Sequence, residues 1–330
     1  MLTLVLASAP AASAAKVDLA GGATVVRVDR ATLGAVTGAG VAIAPTGAAD
    51  ATGRRVRFPI TGGMLDLGTG AGRVDHRGGL RFSRNGRSLK LTRFRIRGNY
   101  LSALAGGERV NILRIRKGDA VIRRTATTTR ISRLELELTR TAARALNATL
   151  RTSLFARGIR LGRATVHADA SELFLEGGAT SLALDSAAAS ALASQGITPG
   201  LIAPATASTD GSLAFPITRG RVDAETLAGL VRHSGGLSLS KGSTRVELTR
   251  FDIVIDGSPQ LTALVGGSRV PILNLDVSGL TRGVDGLDVT LGNVRATLTA
   301  EAAGALNQAF ATTAFSEGLL IGVATVRAEL

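Results

Sequence analysis

The chain has 330 residues, 45% of them hydrophobic and only 3% aromatic, and no cysteine. That length suits two cores of ordinary domain size, and the missing cysteines exclude disulfide staples, thiolate nucleophiles and Cys-ligated metals. The formal charge of +14 is unevenly spread: residues 1–170 hold 29 of the 39 Lys and Arg but 10 of the 25 Asp and Glu, leaving 10 basic and 15 acidic residues for 171–330.

At the N-terminus an apolar run, Leu2–Leu6, leads to the small-residue pattern Ala12-Ser13-Ala14. This predicts a secretory signal over residues 1–15, with a mature chain from Lys16. No basic residue precedes the apolar run, as expected of a truncated start. No later stretch reaches the roughly 18 uncharged apolar residues of a membrane span. The expected localisation is therefore secreted or cell-surface associated, with no transmembrane span after cleavage. Asp29 opens a short helix to Thr37. Beyond it, apolar and polar residues alternate at the period of half-buried strands: Phe94 and Ile96 against Arg93, Arg95 and Arg97, then Leu134, Leu136 and Leu138 against Glu135 and Glu137. Thr139 is placed to cap a helix to about Phe155. The segment from Ala168 to Gly178 has no Pro- or Ser-rich spacer, and the pattern then begins again. Asp185 opens a helix to Ser194, and Thr299 one to about Phe315.

The recurrence is a duplication. Phe58-Pro59-Ile60-Thr61 returns as Phe215-Pro216-Ile217-Thr218 and Leu91-Thr92-Arg93-Phe94 as Leu248-Thr249-Arg250-Phe251, both 157 residues on. After an insertion near Asp256 the offset is 160: Arg109–Leu113 pairs with Arg269–Leu273, and Ala145-Leu146-Asn147 with Ala305-Leu306-Asn307. A long register of this kind marks duplicated domains rather than a short solenoid unit. The boundaries expected are 16–170 for a basic first repeat and 171–330 for a mildly acidic second. Many short strands, Gly-rich turns and few helices predict a mainly β protein: two tandem antiparallel β-sandwich or barrel-like domains, each with one or two short helices.

Each repeat carries a histidine in one decapeptide context, Arg73-Val74-Asp75-His76-Arg77-Gly78-Gly79-Leu80 and Leu230-Val231-Arg232-His233-Ser234-Gly235-Gly236-Leu237. With the Phe-Pro-Ile-Thr block before it and Leu-Thr-Arg-Phe after it, this order resembles the HtaA (heme-transport-associated) domain family. The resemblance covers Phe58–Leu113 and Phe215–Leu273. It implies a β-rich, non-enzymatic, secreted or surface domain of the actinobacterial type with heme as a possible ligand, and it assigns His76 and His233 to the heme site. The family's axial tyrosine has no counterpart, because the only tyrosine, Tyr100, follows the matched strands.

Strand parity puts His76 with Val74 and Leu80, and His233 with Val231 and Leu237, on the apolar side. Two readings of these imidazoles stand: core residues bonded to the following Gly-Gly turn, or ligand-pocket residues. His167 matches Arg327 and receives no role. No nucleophile-elbow pattern and no closely spaced metal-ligand set is present, so neither an enzyme nor a metal site is expected. Arg93, Arg95, Arg97, Arg114 and Arg116 form a candidate anion-binding ladder, suited to anionic envelope polymers or lipid headgroups. The second repeat replaces four of these with Asp252, Val254, Asn274 and Asp276. An ordinary solvated face is the alternative, since arginine is the chain's default base. Nucleic acid is an unlikely partner, for the aromatics that would stack bases are missing.

Overall fold

The period-two segments become strands, and the strands close on themselves. The computed structural model describes residues 16–66 and 69–330; the expected signal segment, 1–15, lies outside the described residues. Two compact units make up the chain, the first reaching Arg124 and resuming from Thr128 to Ser171, the second comprising Thr125–Thr127 and Glu172–Leu330.

The first unit is built on β1 (Lys16–Val28), β2 (Arg55–Asp66), β3 (Gly72–His76), β4 (Arg87–Arg97), β5 (Tyr100–Ala105), β6 (Glu108–Arg116), β7 (Thr128–Leu138) and β8 (Arg160–Ala170). Each pairs antiparallel with its successor, and β8 returns to β1 with Thr24 opposite Val166. The result is an eight-stranded up-and-down barrel. The second unit repeats it with β9 (Gly177–Leu184), β10 (Leu213–Asp223), β11 (Gly229–His233), β12 (Thr244–Ile255), β13 (Gln260–Val265), β14 (Ser268–Asp276), β15 (Asp288–Leu298) and β16 (Leu320–Glu329). Of the two architectures expected, the barrel is the one formed. A sandwich would leave sheet edges open, whereas the first and last strands of each unit pair continuously and leave none in the ring.

Inward-facing apolar side chains line each ring: Phe58 and Ile60 on β2, Val74 on β3, Phe94 on β4, and Phe215, Ile217, Val231 and Phe251 at the matching places. The facing phenyl rings meet edge to face, at 4.9 Å for Phe58 and Phe94 and 5.0 Å for Phe215 and Phe251. Outside the first ring, the strand Gly79–Arg84 makes a hairpin with the start of β4 and takes Ala42–Thr46 on its other edge.

Among the described residues four helices form: α1 (Arg30–Gly38), α2 (Arg140–Leu150), α3 (Ser186–Ser194) and α4 (Ala300–Phe310). Thr139 and Thr299 cap α2 and α4, accepting from Ala142 N and Ala302 N at 3.1 Å. The same hydroxyls donate to Asn111 O and Pro271 O, which ties each helix start to the barrel. Both helices stop short of the expected Phe155 and Phe315, because Arg151 and Ala311 turn into the left-handed region. The chain beyond is held by an asparagine: Asn147 brackets the backbone N–H and C=O of Phe155, and Asn307 those of Phe315. Asp185 caps α3 through Ala187 N. Asp29 makes no such bond to α1; its carboxylate pairs with Arg160 at 2.9 Å instead.

Candidate functional site: a basic pocket beside a buried histidine

His76 ends β3 pointing into the ring, 4% exposed. Its Nδ1 lies 3.2 Å from Phe94 O on β4 and its Nε2 2.7 Å from Thr24 Oγ1 on β1. A carbonyl can only accept, so Nδ1 carries the proton and Nε2 accepts from the threonine hydroxyl. His233 repeats this with Phe251 O at 3.1 Å and Thr180 Oγ1 at 2.7 Å. Burial pushes the His76 imidazole down to about 4, against the upward pull of the Phe94 carbonyl and Asp75, and burial likewise lowers His233. Both rings are neutral and both nitrogens of each are engaged within the barrel. The bonding partners differ from the expected Gly-Gly turn, since an inward ring reaches across to neighbouring strands and away from the loop that follows it.

The glycines serve the loop. Gly78 sits at φ +86, where a Cβ would fall 2.4 Å from Ala49 N, and a Cβ on Gly79 would fall 2.2 Å from Leu91 O. Gly235 and Gly236 meet Ala205 N and Leu248 O in the same way. Past this crossing, Arg93 adopts φ +49 in a bulge of β4, with its N–H donating to Gly78 O and its carbonyl turned outward. The guanidinium of Arg109 on β6 donates to that carbonyl at 3.1 Å and to Ser102 Oγ at 3.2 Å. Arg250 and Arg269 reproduce the device at 2.7 Å.

An open pocket of about 580 Å³ lies over this bulge, lined by Thr46, Asp75, Arg77, Lys90, Arg93, Arg95, Arg109 and an edge of His76. Five cations face one carboxylate. Asp75 forms ion pairs with Arg95 and with Arg73. Loss of surrounding water, then the nearby charge of Arg95, lowers the pKa of Arg109, as crowded guanidiniums should. The Thr46 hydroxyl oxygen on the wall is buried without a hydrogen-bond partner. In the second unit the matching positions are Ile202, Arg232, Ser234, Glu247, Arg250, Asp252 and Arg269, three cations against two carboxylates. The cross-strand pair itself is reversed: Asp75 opposite Arg95 in one unit, Arg232 opposite Asp252 in the other.

The structure divides the arginine ladder. Arg93 and Arg95 enter the pocket. Arg116 pairs with Glu137 at 3.1 Å, while Arg97 and Arg114 stand exposed on the outer wall, each opposite Tyr100, with no ion pair among the described residues. The ladder is thus two groups rather than one face. Lys90, Arg109, Thr46 and Thr24 were not singled out from the sequence. Arg109 lies in a block that the second repeat keeps, which was the available signal; Thr24 and Thr46 are distant in sequence from the decapeptide and had none.

No protein-family profile matches the chain, and neither does any curated protein. Two solved structures from Corynebacterium glutamicum are similar to it: the C-terminal domain of HtaA, 18% identical over 47% of this chain and 98% of that domain with a TM-score of 0.37, and the heme binding protein HtaB, 11% identical over 48% and 95% with a TM-score of 0.31. The chain is similar to HtaA-type β-domains. Among the described residues no helix is long and apolar enough to cross a membrane, and no three acidic or histidine side chains gather in a group that could hold a metal ion.

Proposed function

We propose that the protein is a non-enzymatic binding protein of the cell exterior whose first unit takes a carboxylate-bearing ligand in the pocket beside His76. The observation that carries this reading is the charge of that pocket, five cations to one carboxylate. Guanidinium groups suit carboxylates because their paired donors match the two oxygens. Heme, which bears two carboxylates on its rim, is the ligand implied by the sequence resemblance. Neither histidine fits an iron ligand where it stands, since each Nε2 is occupied by a threonine and each Nδ1 by a carbonyl. The chain's own residues would grip a porphyrin by its rim, with Arg93, Arg95, Arg109 and Lys90 as the holding groups.

Absorbance titrations of the full chain with hemin and with iron-free protoporphyrin IX test this. Both should bind alike, and both should weaken about tenfold or more in the Arg93→Ser, Arg95→Ser variant, the expected loss of two charge-assisted hydrogen bonds. Binding of hemin alone, abolished by His76→Ala with His233→Ala and untouched by the arginine changes, would overturn the reading. A second reading, docking of the outer wall on anionic envelope polymers or lipid headgroups, draws on Arg97 and Arg114, which stand exposed and make no ion pair among the described residues. It calls for retention on an anionic support that Arg97→Ser with Arg114→Ser removes.

A further inference from the structure

The second barrel contains a cavity of about 180 Å³, walled by Leu182, Leu213, Leu239, Leu248, Ile253 and Leu291 among other apolar side chains. Only Thr180, Thr226 and His233 bring polar side-chain atoms to it. Thr180 and His233 bond to each other, His233 also to Phe251 O, and Thr226 is held by Asp223 and Ala228 N. Nothing on the wall is left to hold a water molecule, which needs two to four polar partners, so the space is dry. Interiors are otherwise close-packed, and cavities of roughly 150 Å³ with Leu, Ile and Phe walls take up small apolar molecules.

We infer that this barrel is a binding site for a single unbranched, uncharged hydrocarbon chain. The lining takes residues from both ends of β10, Leu213 at its start and Leu227 just past its end. A volume of about 180 Å³ matches a short hydrocarbon chain and is too small for a porphyrin. No Lys, Arg, Asp or Glu reaches the wall, so the buried part of the ligand is neutral. An entrance is also visible. Leu184, at the end of β9, belongs to the wall and is 36% exposed. The helix after it, α3, contributes only Ala188 and Leu192 to the lining and buries only Ala188, where α4 buries Ala302, Ala303 and Phe310. An Ala- and Ser-rich helix with so little anchoring is the segment that can lift to admit a chain.

Calorimetric titration of the full chain with straight-chain alcohols from hexanol to dodecanol tests this independently of the basic pocket, which lies in the other unit. One site per chain should gain about fourfold in affinity for each added methylene until the cavity is full, and then no more. Ala324→Leu, which adds bulk to the wall, should shorten the longest alcohol that still gains. Ala296→Val serves the same end if the first variant does not fold. Absence of saturable binding, or a length limit that neither substitution moves, would overturn the inference. Unchanged alcohol binding in the Arg93→Ser, Arg95→Ser variant should accompany a positive result.

Discussion

At the scale of single residues, the two histidines show what a period-two pattern can and cannot convey. Inward orientation follows from strand parity, since His76 and Val74 share a face. The partner does not, because Thr24 lies 52 residues away and meets His76 only once β1 and β3 are paired on either side of β2. Thr24→Val removes the hydroxyl at nearly constant shape and leaves Nε2 buried and unpaired, so we expect a loss of about 1–3 kcal/mol in urea unfolding. The same burial makes stability depend on pH. The unfolded chain protonates His76 near its ordinary value of about 6.5, whereas the folded chain does so only near 4. Stability is therefore fully present above about pH 6.5 and drains as pH falls toward 4, by about 3 kcal/mol for this residue, because the unfolded state takes the proton first. Unfolding midpoints that stay level from pH 7 to pH 4.5 would contradict a neutral, buried imidazole.

At the scale of elements, helix starts were legible, as were the ends of α1 and α3, but the ends of α2 and α4 were not. Thr139, Asp185 and Thr299 announce their helices through a side-chain oxygen that bonds the first turn. The ends of α2 and α4 depend on left-handed Arg151 and Ala311, residue types that give no warning of a turn. The Gly-Gly step was visible as a motif, yet its purpose appears only where Ala49 and Leu91 approach the two bare Cα atoms. Gly78→Ala should cost on the order of 3 kcal/mol, as both the positive φ and the backbone contact resist a methyl group. The cross-strand pair between β3 and β4 offers a cleaner case. Arg95→Asp alone sets two carboxylates opposite each other and should destabilise by about 1 kcal/mol at most, given partial exposure. Adding Asp75→Arg recreates the order found in the second unit and should recover that loss; a double variant no more stable than the single one would show that the pair is not an interchangeable unit.

At the scale of the whole molecule, duplication and β-class were plain in the sequence. Ring closure was not, because the pairing of β1 with β8 joins residues such as Leu19 and Ala170 that no local pattern relates. We expect residues 172–330 expressed alone to give a β-rich circular dichroism spectrum and one cooperative melt. An unfolded fragment would mean that the second barrel needs the rest of the chain. Two barrels of one plan differ most in their pockets: the first is a cationic recess, and its counterpart is nearly balanced. That difference is the central claim, and transplanting it is the most direct test. A variant carrying Asp75→Arg, Arg77→Ser, Lys90→Glu and Arg95→Asp gives the first pocket the charges of the second while keeping its cross-strand pair. Titrated with protoporphyrin IX from low to physiological salt, it should unfold at nearly the wild-type midpoint yet lose most of its affinity and most of the salt dependence that screening and counterion release impose. Undiminished binding with the wild-type salt slope would contradict the account.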